Sequence, residues 1–339
     1  MKISRSYTLA EFLAWTRRKT YVLLLLALLP VALYVLLGQK WVAVPWAVAV
    51  LLGTATSFIV GFKNAQTYGR TIEAQQVWTS IASVSRYWGT IARDFPVTKE
   101  GPHPATQALV RRHLAWLTVL RYQLRRPREW ESVASASNVE YQKKYSVPET
   151  QSPLADELKK YLDEAELAQI AATRHPALRL IGLQSQAIRE LYARQELAVL
   201  HHTELQKTLK DCLEQQTKAE RIKNFPYPRQ YATINTFFVW SFAAVLPWCL
   251  VREFDRLNEF VPGLLHGHMA WLAVPFSMLV GWMYVSLDQV GESTENPFEG
   301  GANDVPISQI CRLLEIELRE LLGETELPPL LQPSNHIVL

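Results

Sequence analysis

The chain has 339 residues, with 35 Lys and Arg against 32 Asp and Glu and a formal charge of +3. The basic residues sit beside acids and form no stripe interleaved with aromatics, which argues against a nucleic-acid partner. Cys212, Cys249 and Cys311 are odd in number and far apart, which excludes a disulfide framework and a thiolate metal centre and fits a reducing face.

The hydrophobic residues are clustered in four runs: Tyr21–Gly38, Trp41–Phe62, Thr236–Val251 and Pro262–Leu287. Crossing a membrane takes roughly 20 mostly apolar residues. Three runs meet that length, and Thr236–Val251 meets it once the flank "YATIN" is included. The first run is not a cleaved signal, because no small-residue cleavage site follows it and a second span begins at once. Arg17, Arg18 and Lys19 precede the first span, Lys63 and Arg70 follow the second, and Arg221, Lys223 and Arg229 precede the third. The short links between paired spans hold Lys40 alone, or Arg252 and Arg256 diluted by acids. By the positive-inside rule, both termini and the long middle region belong in the cytoplasm.

The expected organisation is an N-terminal cytosolic segment (1–20), a transmembrane hairpin (21–62), a cytosolic helical domain (63–228), a second hairpin (229–288) and a C-terminal cytosolic segment (289–339). Within the middle region, Ile72, Val77, Ile81, Val84, Trp88 and Ile91 form a helical stripe. "HPATQALVRRHLAWLTVLRYQLR" repeats that pattern after a Pro-containing break, and "ADELKKYLDEAELAQIAATRHP" reads as two short helices. From Pro176 to Asn224 the sequence predicts one long helical stretch, with no Pro or Gly after Gly182, ended by "FPYP". No β-alternation is visible, so the fold class is all-α.

Catalytic motifs are missing: there is no GxSxG, GxxxxGK[ST], HExxH or CxxC, so the chain is not expected to be an enzyme. His201 and His202 are adjacent and point about 100° apart on a helix, so they cannot share a metal. His266 and His268 read as interfacial, and no metal or cofactor is expected.

In the second span, Gly53, Ser57 and Gly61 fall at i, i+4, i+8 and make a small-residue face for close helix approach. Beside it lie Thr54, Phe58 and Phe62 at the same spacing. By periodicity alone the phenyl rings suit lipid or a neighbouring helix; the sharper alternative is an apolar constriction that gates by dewetting. The helix runs past Phe62 into "KNAQTYGRTIEA" without a break. Its polar residues are useful if they line a wet vestibule, which several copies around an axis would enclose.

Four stretches carry a family resemblance: "FIVGFKNAQTYGRTIEA", "AERIKNFPYPRQY", "AAVLPWCLV" and "GESTENPFEGGANDVPISQICRLLEIELRELLGE". Together they span most of 58–323 in order, and the chain resembles the bacterial branch of the bestrophins. The resemblance implies a homopentamer in the inner membrane around one ion pathway, with four membrane helices per subunit. It implies conduction of chloride or other monovalent anions, or of cations as in some bacterial members. Thr54, Phe58 and Phe62 match the pore neck, where the family carries bulky apolar residues, so Thr54 departs and is expected to leave the outer neck wetter. A second cytosolic constriction falls near Leu200, counting back from Pro228. Lys63 and Glu73 are charge candidates for the vestibule. Tryptophans that commonly follow the Tyr-x-Arg are Thr71 and Ile72 here. The acidic calcium cluster of animal members is thinned to Glu299, Gly300, Gly301, Ala302, Asn303 and Asp304, too few acids for an ion that takes six to eight oxygens. The rival reading is a non-conducting membrane scaffold or receptor whose vestibule binds a cytosolic partner.

Overall fold

The computed structural model describes residues 1–97, 103–263 and 266–339. Its helices run in chain order as α1 (Leu9–Leu36), α2 (Trp46–Asp94), α3 (Pro104–Arg125), α4 (Ala136–Gln142), α5 (Pro148–Gln151), α6 (Leu154–Leu158), α7 (Glu164–Ala171), α8 (Pro176–Ala193), α9 (Val199–Asn224), α10 (Arg229–Arg256), α11 (Ala273–Ser293) and α12 (Ile307–Leu321). Extended pairing among the described residues is limited to isolated bridges from Ile337 to Lys2 and to Ser334. Most of the expected break between α2 and α3 lies outside the described residues, as do residues 264–265 of the fourth apolar run.

Helix ends follow local chemistry. Thr8 and Glu11 form a reciprocal capping box that starts α1. The His103 side chain caps α3, with Pro104 in its first turn. Four helices, α1, α2, α10 and α11, are long and apolar enough to cross a membrane. The third begins at Arg229, so "YATIN" is helical as expected.

Two layers result. In the membrane layer, Leu23 of α1, Val60 of α2, Val239 and Ala243 of α10 and Val285 of α11 pack together. In the second layer, the continuation of α2 meets α3, α8, α9 and α12 in one core that includes Trp78, Trp88, Leu109, Trp116, Leu180, Leu205 and Leu314. The three tryptophans are fully buried. Truncating any of them to alanine removes a large packed ring, at a cost of about 3–5 kcal/mol. Val77, Ile81, Trp88 and Ile91 of the sequence stripe face this core, whereas Ile72 is exposed.

One expected helix is two. The stretch Pro176–Asn224 breaks between α8 and α9, where Gln195 takes a left-handed φ of 60°. The amide of Glu196 donates to the Leu191 carbonyl (3.0 Å) and that of Gln195 to the Tyr192 carbonyl (3.0 Å). This is a Schellman stop, usually made by glycine. The buried side chain of Leu197 anchors the turn that follows.

Candidate functional site

The 49 residues of α2 extend for about 73 Å at 1.5 Å per residue, against a hydrocarbon layer of about 30 Å. The helix therefore leaves the membrane and projects some 40 Å beyond it. One face stays exposed along nearly its whole length: Leu51, Thr54, Phe58, Phe62, Ala65, Gly69, Ile72, Gln76, Thr79, Ser83, Tyr87 and Thr90. Each residue follows the last by three or four positions, which is one continuous helical stripe. Its first part is apolar and its last part polar, and no member is charged.

The two phenyl rings are prominent on this stripe, with Phe58 75% and Phe62 55% exposed. Thr54 is exposed too, but its hydroxyl donates to the Val50 carbonyl at 2.8 Å. The hydroxyl proton expected to wet the outer neck is bonded to the helix's own backbone. The small-residue face is used unevenly. A Cβ on Gly53 would lie 3.0 Å from the Phe242 ring, so glycine admits α10 there. Ser57 meets the Tyr284 hydroxyl at 2.6 Å. Gly61 has nothing within 4 Å. It opens instead on a shallow groove of about 720 Å³ walled by Phe58, Phe62, Tyr231 and Ile234.

The charges of α2 all find partners within the subunit, Lys63 buried and Arg86, Arg93 and Asp94 at the surface. Lys63 does not present its ammonium to the stripe, contrary to its reading as a vestibule charge. Its side chain is 4% exposed and ion-paired to Asp288 of α11 at 2.7 Å. The reason is helical phase: Lys63 sits on the buried face with Val60 and Thr67. Asn235 and Thr236 of α10 also donate to Asp288, so one carboxylate ties three helices. Arg70 donates to the carbonyls of Glu295 (3.0 Å), Ile222 (3.0 Å) and Phe225 (2.8 Å). Glu73 pairs with Arg221 at the surface of α9. Arg86 pairs with Glu317 and Arg93 with Asp94.

Leu200 is 78% exposed in the first turn of α9. The stacking of Phe95 on His201 (4.1 Å between centroids) and the Tyr87–Glu204 hydrogen bond fix that turn beside the far end of α2. Phe58 and Leu200 therefore stand at opposite ends of the projecting stripe. His202 lies against the Tyr192 ring and His266 bonds to backbone carbonyls, so neither is arranged with the other histidines as a ligand set.

The two acids of the "NPFEGGAND" turn are occupied by the protein itself. Asp304 accepts from Arg125 Nη1 (3.0 Å) and the Gly300 amide (2.7 Å), and Glu299 from the Ser132 amide (2.8 Å) and hydroxyl (2.7 Å). Burial raises both carboxyls, Glu299 to about 8 with the Asp304 charge assisting. Among the described residues, no three His, Cys, Asp or Glu side chains are grouped to hold a metal ion.

Sequence reasoning misses Asp288, Asn235 and Tyr284, the partners of Lys63 and Ser57. A carboxylate at the end of an apolar run is the signal that finds Asp288, because an ionisable group at membrane depth needs a partner.

Comparison with known proteins bears on the family and the fold. The model of the bacterial and fungal bestrophin proteins matches residues 13–320. The voltage-dependent anion channel-forming protein YneE of Salmonella typhimurium is 28% identical over 297 residues, covering 87% of this chain and 82% of that protein. Its counterpart in Escherichia coli K12 is 26% identical over 307 residues, covering 90% and 85%. The crystal structure of a bacterial bestrophin homolog from Klebsiella pneumoniae superposes with a TM-score of 0.74 at 21% identity, covering 91% of this chain and 99% of that one.

Proposed function

The chain belongs to the bacterial and fungal bestrophin family, and from that premise we propose that it is an ion channel of the cell's inner membrane, a homopentamer with its α2 helices around one axis. Thr54, Phe58 and Phe62 form an apolar neck, Leu200 a second constriction at the far end, and the polar part of the α2 stripe lines a wet vestibule between them, with Glu73 at its border. Both termini face the cytoplasm, with 21–62 and 229–288 as the membrane hairpins and 63–228 as the cytosolic domain. The observation that carries this reading is the uncharged exposed stripe. Lipid would suit its phenyl half but not Gln76, Thr79 and Ser83, whereas water would suit the polar half but not the rings. A pathway that is narrow and apolar within the membrane and wet below it suits both halves.

The conducted ions are monovalent anions, chloride foremost. The relatives' names support this, and the stripe itself carries no charged ring. Lys63 takes no part in selection, since Asp288 neutralises it away from the stripe. A phenyl ring has a positive edge, so rings turned edge-on to the axis favour an anion over a cation. Recording purified protein in a planar bilayer under a KCl gradient tests existence and selectivity together. A reversal potential near that of chloride is expected. Absence of current from protein that is shown to be inserted would favour the non-conducting scaffold instead.

A further inference from the structure

A cavity of about 420 Å³ lies where the N-terminal segment, α1, α2, α4 and the turn after α11 meet, off the α2 stripe. Six aromatic side chains wall it: Tyr7, Phe12, Trp15, Tyr68, Tyr141 and Tyr145. Three of their polar ends are already bonded. Tyr7 donates to Asn303 (3.1 Å), Trp15 to Asn138 (3.0 Å) and Tyr145 to the Gly300 carbonyl (3.1 Å). Apolar and π surface is most of what remains for an occupant, together with the Tyr68 and Tyr141 hydroxyls and two carboxylates, Glu11 and Glu299.

The two carboxylates differ. Glu11 holds the Lys2 ammonium at 2.6 Å, and that ammonium lies 4.0 Å from the Tyr7 centroid. The rim thus already binds one cation between an acid and a ring face. Glu299 is buried and receives hydrogen bonds only from Ser132 and Val133, with no cation paired to it among the described residues. We propose that this cavity binds a small organic monocation, a quaternary ammonium or alkylated amine, seated on the tyrosine faces with its charge toward Glu299.

Each ring face favours a cation by about 2- to 30-fold, according to how far the site is desolvated. A bare divalent ion suits the site poorly, because it takes six to eight oxygens and the aromatic wall offers few. An anion would meet two acids. A neutral molecule of the same shape would use the rings but leave Glu299 unmatched. The charges acting on Glu299 are those of Asp304 and Glu131, each paired in turn with a cation, Asp304 with Arg125 and Glu131 with Lys223, and Tyr145 feels the Glu299 charge. Since burial raises the Glu299 carboxyl, a bound cation stabilises its ionised form, and affinity increases as pH rises through that range.

The test is calorimetric titration of the purified full-length protein with choline and with 3,3-dimethylbutanol, its uncharged isostere, at pH 6.5 and 8.5. Saturable choline binding is expected, several-fold tighter at pH 8.5, with the alcohol at least tenfold weaker. Tyr68→Leu removes a largely exposed ring and so spares the fold, and Tyr141→Leu removes a second. Each should weaken choline by about 3- to 10-fold, checked against an unchanged melting temperature for Tyr68→Leu. No saturable choline binding at either pH would overturn the proposal. So would equal affinity for the alcohol, or choline affinity indifferent to Tyr68→Leu.

Discussion

The two faces of α2 obey opposite rules. The buried face carries Lys63, Arg70, Trp78 and Trp88; both charged groups there have partners in the same subunit, and the two indoles pack in the core with their N–H groups unbonded. The exposed face carries two phenyl rings and a row of small and neutral polar residues with no charge among them. One helix is thus a structural strut on one side and an unpartnered surface on the other. Substitutions on the first side should change stability, and those on the second should change flux.

The largest effect should come from breaking the strut. Lys63→Met leaves the Asp288 carboxylate buried without its ammonium, and removing one member of a buried pair costs about 3–5 kcal/mol. Thermal unfolding of the assembled protein should shift down by that equivalent, without a rise in flux. Lys63→Met with Asp288→Leu together should recover most of the loss. An unchanged melting temperature in the single variant would mean that the pair is not buried as described.

Next comes the exposed face. In the proposed pentamer five rings act on one water column, so Phe62→Ala changes the whole constriction. It should raise conductance or open probability, and further with Phe58→Ala, at a stability cost under about 1 kcal/mol. That range holds because an exposed ring has little packing to lose. Thr54→Ile should act in the opposite sense by adding an apolar layer. If the rings were packed core, Phe62→Ala would instead cost about 3–5 kcal/mol and leave flux unchanged. Single-channel recording beside a thermal melt separates the two outcomes.

A smaller effect is expected from pH. Glu299 is buried with its carboxyl raised to about 8, above its unfolded value, so the native state holds a proton that the unfolded state releases. Its contribution to stability is therefore greatest below the unfolded pKa, declines as pH rises, and is lost once pH passes about 8. Glu299→Gln should flatten that part of the pH–melting curve, and an unaltered slope would count against the burial. Smallest of all is Glu73→Gln. Its pair with Arg221 is half exposed, so the melting free energy should move by less than about 1 kcal/mol. With Glu73 at the border of the vestibule, as proposed, the same variant raises chloride conductance at low salt and loses the effect at high salt.

How much of this is legible in the sequence follows from the same contrast. Phe58 and Phe62 declare themselves by spacing, and the unbroken run past Phe62 announces the projecting helix, because both are periodic signals along one element. Lys63 is misjudged from sequence, since periodicity sets its phase on α2 but does not reveal Asp288, which waits 225 residues later on α11. The stop at Gln195 escapes for a related reason. A left-handed residue that is not glycine leaves no mark in composition, and only the buried Leu197 beyond it explains why the chain turns. The aromatic cavity draws on five segments, none of which carries a pattern alone.

Whether the exposed face of α2 lines the ion pathway is tested most directly by thiol modification of the Phe62→Cys variant with a small sulfonate reagent during bilayer recording. The native Cys212, Cys249 and Cys311 are buried and should stay silent. The prediction is a loss of anion current in up to five discrete steps as successive copies acquire a fixed negative charge. Current that persists unchanged while mass spectrometry shows the introduced thiol fully modified would contradict it.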